Sequence, residues 1–265
     1  MHNTPNWFGI QQPDRKAMGK NMPQHLDMAK KRDDAPKKTL IYGDVGSGKT
    51  FCLRTLPERA LPAFIIDIDE GSEALEGDFL EGSFRGIIPD RLAKNKNGKE
   101  TPVAYDQIKD ALQRLHKADP ECQPKTIIID SMTRLYGAIM DHTMASNNKA
   151  LDAAPTQPDY GIAMRLTIKF IEALIMMQKN LIIVCHEDSK ENETTGIVKI
   201  VPSLTGKLAG IIPSYFDYVL HAVVKGKGDK ASYIWQTRPS GVYTARVRNP
   251  NLEAEMPQNF DILLP

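Results

Sequence analysis

The chain has 265 residues, of which 41% are hydrophobic and 25% are charged, and its formal net charge is +1. These values are typical of a globular protein with a sizeable core, and near neutrality excludes a global field that would draw the chain onto nucleic acid or an anionic membrane. Cys52, Cys122 and Cys185 lie far apart, which excludes a disulfide framework or zinc cluster and favours a reducing cytosol. No apolar run approaches the roughly eighteen residues of a membrane span, so we expect a cytoplasmic protein with no membrane partner.

The N-terminal residues differ from the rest of the chain. Residues 1–37 are polar and contain four prolines, which predicts an N-terminal arm outside the core. The apolar patch of Trp7, Phe8 and Ile10 within this arm either contacts the protein's own core or docks on a neighbouring subunit. We assign residues 38–250 to one core and residues 251–265 to a C-terminal tail.

The stretch GDVGSGKT fits the phosphate-binding pattern GxxxxGK[ST] at every fixed position. It follows a predicted strand (39–42) and precedes a segment able to begin a helix (51–56). The glycines let backbone N–H groups turn around a phosphate chain; Lys49 would reach the β- and γ-phosphates, and the Thr50 hydroxyl would ligate Mg²⁺. The pattern therefore predicts a nucleoside triphosphate site made of Gly43, Asp44, Val45, Gly46, Ser47, Gly48, Lys49, Thr50 and Phe51.

Two further apolar runs end in carboxylates. The run AFIIDIDE (63–70) predicts a strand buried on both faces, with Asp67, Asp69 and Glu70 at its end. The run TIIIDSMT (126–133) predicts a second buried strand that ends in Asp130, where a Walker B carboxylate would hold Mg²⁺ through water. Because ligands bind at the carboxyl edge of open parallel sheets, these acids are expected near the P-loop.

Helical and apolar patterns alternate over the rest of the core. Helices are predicted over residues 103–117, 134–145 and 160–179, and a third buried strand over residues 181–188 ends in His186 and Glu187. Residues 190–199 are predicted to be a flexible loop, and the strands after residue 215 are joined by short turns. The expected fold is an α/β core with a mostly parallel sheet, flanking helices and an antiparallel C-terminal extension.

These motifs resemble those of RecA-superfamily ATPases. Ser131, not Glu, follows Asp130, so the general base must come from elsewhere, and Glu70 or Asp69 matches the position from which that family polarises the attacking water. His186 matches the residue that senses the γ-phosphate, and residues 187–199 match the DNA-binding loop. A histidine in VCHE, the stretch PSLTGK (202–207), a later Phe-Asp and the terminal TARVRN resemble the small phage RecA-core proteins described as Sak-type single-strand annealing ATPases.

The resemblance covers about residues 38–249 and implies an ATP- and Mg²⁺-dependent ATPase. It also implies binding of single-stranded DNA, annealing or recombination of phage DNA in the host cytoplasm, self-association into a ring or filament, and contact with a single-strand binding protein. Arg246 and Arg248 match the basic pair that reaches the ATP of the adjacent subunit; their alternation on a strand also fits a solvated strand face.

Two other functions fit parts of the sequence. A nucleotide-gated scaffold that loads a replication or packaging protein would need the P-loop but little turnover. A small-molecule kinase would need an arginine-rich lid, and residues 146–158 contain no arginine. His186 also fits a hydrogen-bonded core histidine, and aromatic side chains are sparse over residues 187–207. The lysines that could contact a DNA backbone, or merely form a solvated surface, are Lys190, Lys199, Lys207, Lys225, Lys227 and Lys230.

Overall fold

The computed structural model describes residues 35–75, 83–94, 98, 100–117, 123–191 and 196–264. Most of the predicted N-terminal arm, including Trp7, Phe8 and Ile10, lies outside the described residues. The α-helices are α1 (Ala104–Lys117), α2 (Met132–Ser146), α3 (Gln157–Met176), α4 (Leu208–Ile211) and α5 (Phe260–Leu263). The strands are β1 (Lys38–Gly43), β2 (Ala63–Asp67), β3 (Phe84–Ile87), β4 (Leu92–Lys94), β5 (Glu100–Pro102), β6 (Thr126–Asp130), β7 (Asn180–Glu191), β8 (Val198–Pro202), β9 (Tyr218–Lys225), β10 (Ser232–Gln236) and β11 (Glu255–Pro257).

One large sheet organises the described part of the chain. Its strands run in the order β11-β10-β9-β1-β7-β6-β2-β3, with β8 paired to β7. The six strands from β9 to β3 are mutually parallel, whereas β8, β10 and β11 are antiparallel to their neighbours. The predicted fold class, an α/β core with a mostly parallel sheet and an antiparallel C-terminal extension, is confirmed.

The two faces of the sheet are covered differently. Alternate side chains of each strand point to opposite faces, so Leu40 and Tyr42 pack with helices α1, α2 and α3, while Ile41 packs on the other side. The second face has no long helix among the described residues. Short turns after the P-loop and the C-terminal segment cover it instead.

The segment after the P-loop is shorter than predicted. It is a 3₁₀ turn over Phe51–Thr55, not the start of a longer helix. Pro57 disfavours the helical conformation at Leu56, which is extended at φ −62° and ψ 126°. The Thr55 hydroxyl also donates to the Cys52 carbonyl at 2.7 Å. The P-loop is therefore not followed by a long helix whose dipole would add positive potential at the phosphates.

The segment predicted as a C-terminal tail is part of the core. Strand β11 pairs with β10, and α5 packs Phe260 and Leu263 against the second face, where both side chains are almost fully buried. The Thr55 hydroxyl accepts a hydrogen bond from Phe260 N at 2.8 Å. The apolar surface that the short 3₁₀ turn leaves open is thus covered by the end of the chain.

The two ends of the loop predicted over residues 190–199 belong to paired strands. Strand β7 continues to Glu191, and β8 returns beside it, with Glu187 opposite Pro202 and Lys190 opposite Lys199. Ile200 anchors β8 to the C-terminal region because its N–H donates to the Val242 carbonyl at 2.6 Å. The β-branched residues of β8 favour this extended pairing, and residues 192–195 between the strands lie outside the described residues.

The described helices carry no candidate membrane span. None of them combines the length and the apolar composition needed to cross a bilayer.

Removing the Phe260 side chain tests whether the C-terminal segment belongs to the core. We expect Phe260→Ala to lower the free energy of unfolding by about 3–5 kcal/mol, because a fully buried aromatic ring is replaced by a cavity. Ile262→Ala, two residues away and 44% exposed, is the matched control and should cost less than about 1 kcal/mol. Denaturant unfolding measures both changes, and equal small effects would show that the segment does not stabilise the core.

Candidate functional site

The P-loop is fixed by the strands on either side of it. Gly43 at the end of β1 pairs with His186 of β7 and Ala222 of β9, so the loop begins at the carboxyl edge of the sheet. A Cβ atom on Gly43 would lie 2.3 Å from the Ala222 carbonyl oxygen, a clash with backbone that cannot move away cheaply. The glycine is therefore required by close strand packing as well as by the loop.

The Lys49 ammonium group lies inside the loop. Its Nζ donates to the carbonyl oxygens of Gly43 at 2.9 Å and Asp44 at 2.6 Å, and lies 3.4 Å from the Ser47 hydroxyl. The side chain is 7% exposed, and this burial lowers the Lys49 pKa. Lys49 thus places a buried positive charge at the loop that is predicted to hold phosphates.

Thr50 and Asp130 form a hydrogen-bonded pair of side chains beside the loop. The Thr50 hydroxyl donates to Asp130 Oδ2 at 2.6 Å. Burial raises the Asp130 pKa to about 6, and the nearby carboxylates of Asp69 and Asp67 act in the same direction. A divalent cation would relieve this repulsion, and a hydroxyl with one carboxylate fits Mg²⁺, which keeps several waters and phosphate oxygens as its other ligands. The described residues contain no cluster of three or more His, Cys, Asp or Glu side chains suited to a metal.

The three acids after β2 have separate environments. Asp67 is buried and accepts backbone hydrogen bonds from Gly71 at 3.0 Å and Ser72 at 2.8 Å, which makes it a turn-forming residue. Asp69 lines the cleft beside the P-loop, whereas Glu70 is exposed and lines a neighbouring cavity. Of the two predicted candidates for the base, the structure places Asp69 in the nucleotide cleft.

Asp69 and His186 are joined by a hydrogen bond. His186 Nε2 lies 2.8 Å from Asp69 Oδ2, while Asp69 Oδ1 accepts from the Ser131 hydroxyl at 3.0 Å. Arg134 Nε lies 3.7 Å from the same Oδ1. The His186 side chain is 32% exposed, so it is a partly open group at the sheet edge and not an enclosed core histidine.

The C-terminal segment supplies one wall of the cleft, which sequence patterns did not predict. The cleft has a volume of about 740 Å³. It is lined by P-loop residues, by Asp69, Asp130 and His186, and by Tyr233, Pro257 and Gln258. Gln258 Nε2 donates to the Ser47 carbonyl at 2.8 Å, so the residue that follows the last strand is bonded directly to the P-loop. Residues from opposite ends of the sequence meet here through sheet pairing, which no local motif reveals.

Arg246 and Arg248 do not lie on a regular strand as predicted. Arg246 forms an isolated antiparallel bridge with Val219, and Arg248 Nε lies 3.1 Å from Asp217 Oδ1. Asp217 precedes Tyr218, which pairs with Thr39 near the start of β1. Gly43 is four residues further along that strand, or about 13 Å at about 3.3 Å per residue. Neither arginine is therefore among the residues of its own nucleotide cleft.

The comparisons with known proteins give a family and a set of similar structures. A family model described as AAA domain matches residues 35–249. Among curated proteins, none matches the chain. Similar solved structures include a KaiC-like protein from Pyrococcus horikoshii, with 14% identity and a TM-score of 0.47 over 84% of this chain and 85% of that one. They also include the flagellar accessory protein FlaH from Methanocaldococcus jannaschii, with 14% identity and a TM-score of 0.37 over 76% of this chain and 77% of that one.

Proposed function

Because the chain belongs to the AAA domain family and carries a RecA-like P-loop ATPase core, we propose that it hydrolyses ATP and binds single-stranded DNA, promoting its annealing or recombination in a phage-infected cell. The observation that carries the DNA-binding part is a groove that begins at the nucleotide cleft and follows the carboxyl edge of the sheet.

The arrangement around the P-loop supports in-line attack of water on the γ-phosphate. Lys49 would stabilise negative charge on the β- and γ-phosphates, and Thr50 with Asp130 would hold the metal ion. When bound, Mg²⁺ neutralises charge that develops on the phosphate oxygens. Asp69 orients the attacking water, because it is the acid of the predicted pair that lines the cleft.

The groove consists of three adjoining cavities. The first, of about 740 Å³, shares Asp69 and His186 with the nucleotide cleft. The second, of about 400 Å³, shares Thr133, Gly137 and Ser203 with the first, and the third, of about 390 Å³, shares Tyr136, Thr205 and Gly206 with the second. Residues of the stretch PSLTGK (202–207), one of the motifs noted in the sequence, therefore line most of the groove.

Side chains along the groove suit a single strand with bases inward and phosphates outward. Tyr160, which is 37% exposed, offers a ring on which a base can stack, and it lies in α3 and outside residues 187–207, where aromatic side chains are sparse. Lys190 and Lys207 line the groove as phosphate contacts. Two nearby arginines are not counted as phosphate contacts because each is paired with an acid. Arg134 lies near Asp69, and Arg91 Nε lies 3.6 Å from Asp141.

His186 connects the cleft to the groove through its backbone. Its carbonyl accepts from Ser203 N at 2.7 Å, and its N–H donates to the Thr133 hydroxyl at 3.1 Å. The same hydroxyl donates to the Ser203 carbonyl at 3.2 Å. A shift of His186 toward the γ-phosphate would therefore move the residues that line the groove. This arrangement supports coupling between nucleotide state and DNA binding.

Self-association forms part of the proposal. Arg246 and Arg248 are exposed and lie near the opposite end of β1 from the P-loop, so they reach a nucleotide only in a neighbouring subunit. Arg248 would have to leave its ion pair with Asp217 to do so. A ring or filament meets this requirement, and a single-strand binding protein would present the DNA to it.

Asparagine at position 69 tests the assignment of the base. We expect Asp69→Asn to lower ATP turnover on the order of 10²-fold or more while ATP binding is retained, because the amide cannot accept the water proton. Glu70→Gln is the matched control and should stay within a few-fold of the unchanged protein, since Glu70 lies in the neighbouring cavity. Steady-state turnover and equilibrium ATP binding measure both properties, and loss of turnover in Glu70→Gln alone would reverse the assignment.

Binding of a fluorescent oligo(dT) strand, followed by anisotropy with a slowly hydrolysed ATP analogue, tests the DNA-binding part. We expect salt-dependent binding that Tyr160→Ala and Lys207→Ala each weaken by roughly tenfold, through loss of a stacking ring and a phosphate contact. Lys230→Ala, in the turn between β9 and β10, should have no effect. A protein that binds ATP but no DNA at any salt concentration would overturn the recombination function and favour the nucleotide-gated scaffold.

A further inference from the structure

The nucleotide cleft has aromatic lining residues that the phosphate chemistry does not use. Lys49, Thr50, Asp130 and Asp69 are the lining residues assigned to the phosphates and the metal. The ring of Phe51, which is 61% exposed, and the ring of Tyr233, which is 48% exposed, also line the cleft. Exposed aromatic rings in a concave site are suited to the flat, apolar faces of a nucleobase. These two rings therefore suit contact with the nucleoside part of ATP.

Gln258 is held rigidly in the wall of the cleft that the C-terminal segment supplies. Its backbone N–H donates to the Tyr233 carbonyl at 3.3 Å. The chain is also held on either side of Gln258, by the pairing of β11 with β10 before it and by the hydrogen bond from Phe260 N to the Thr55 hydroxyl after it. Its side chain also reaches the P-loop directly. The absence of a side chain on Gly48 allows this approach, because a Cβ there would lie 2.7 Å from Gln258 Oε1.

The two hydrogen bonds of the Gln258 amide fix which way it points. Nε2 lies 2.8 Å from the Ser47 carbonyl and 3.2 Å from the Ile234 carbonyl. Both partners can only accept, so the amide nitrogen must face them. Within the described part of the chain, no donor is bonded to Oε1. The side chain thus presents an oriented acceptor at the cleft wall.

We propose that Gln258 selects the nucleobase, with Oε1 accepting a hydrogen bond from the 6-amino group of adenine. A 6-oxo purine such as guanine or hypoxanthine places an acceptor where the adenine donor lies, so two acceptors would face each other and neither would be satisfied. This inference rests on the proposed ATP binding and adds the residue that distinguishes ATP from other purine nucleotides.

Competition binding of ATP and ITP to the unchanged full-length chain with Mg²⁺ tests the inference without any mutation, because the two bases differ only at position 6 and the adjoining ring nitrogen. We expect ATP to bind at least about tenfold more tightly, the scale of one satisfied against one unsatisfied hydrogen bond. Gln258→Ala should reduce this preference to within about twofold. Gln107 lies on α1, and its side-chain amide is bonded to Asp90. Gln107→Ala removes this amide and should leave the preference for ATP over ITP unchanged.

The outcomes separate this inference from the function on which it rests. Equal binding of ATP and ITP by the unchanged protein would overturn base selection alone. A second result would also overturn base selection. If ATP and ITP bind equally, but the protein strongly prefers ATP over 2′-deoxy-ATP and Gln258→Ala abolishes that preference, then Oε1 accepts a hydrogen bond from the ribose instead. Absence of binding of any of these nucleotides would overturn the nucleotide site itself.

Discussion

Parallel pairing of β1 with β7 and β9 is the constraint on which the rest of the structure depends. It aligns Gly43 with His186 and Ala222, and the pairing of β2 with β6 aligns Asp67 with Asp130. Because these parallel strands all reach the same edge of the sheet, the P-loop, the Thr50–Asp130 pair and the Asp69–His186 pair lie close together, although more than a hundred residues separate some of them. A shift of one residue in any register would turn these side chains to the wrong face.

The sequence was sufficient to predict this edge because its signals are local. The fixed positions of the P-loop, the apolar runs that end in Asp67, Asp130 and His186, and the helical periodicity of α1 to α3 each depend on a few neighbouring residues. The C-terminal wall was not predictable in the same way. Phe260 and Gln258 acquire their roles only because Pro57 ends the 3₁₀ turn early and leaves an apolar face to be covered, which is a consequence of tertiary packing.

Two other differences have the same origin. The segment after His186 contains polar and acidic residues typical of a loop, yet pairing of β7 with β8 and the anchoring of Ile200 to Val242 extend it into a hairpin. The sequence alone could not show whether Asp69 or Glu70 faces the nucleotide cleft, because the direction of two adjacent side chains depends on the backbone conformation between them. Glu70 has a φ of 57°, and this turn separates its side chain from the cleft that Asp69 lines.

ATP binding in the P-loop cleft through Lys49 is the premise of every function proposed for this chain. Calorimetric titration of the full-length chain with ATP and Mg²⁺ measures this directly, with Lys49→Ala titrated alongside and its folding checked by circular dichroism. We expect one ATP bound per unchanged chain and an affinity lower by at least about tenfold in Lys49→Ala, because a buried charge on the phosphates is lost. Equal affinities for ATP in the two folded proteins would contradict the account.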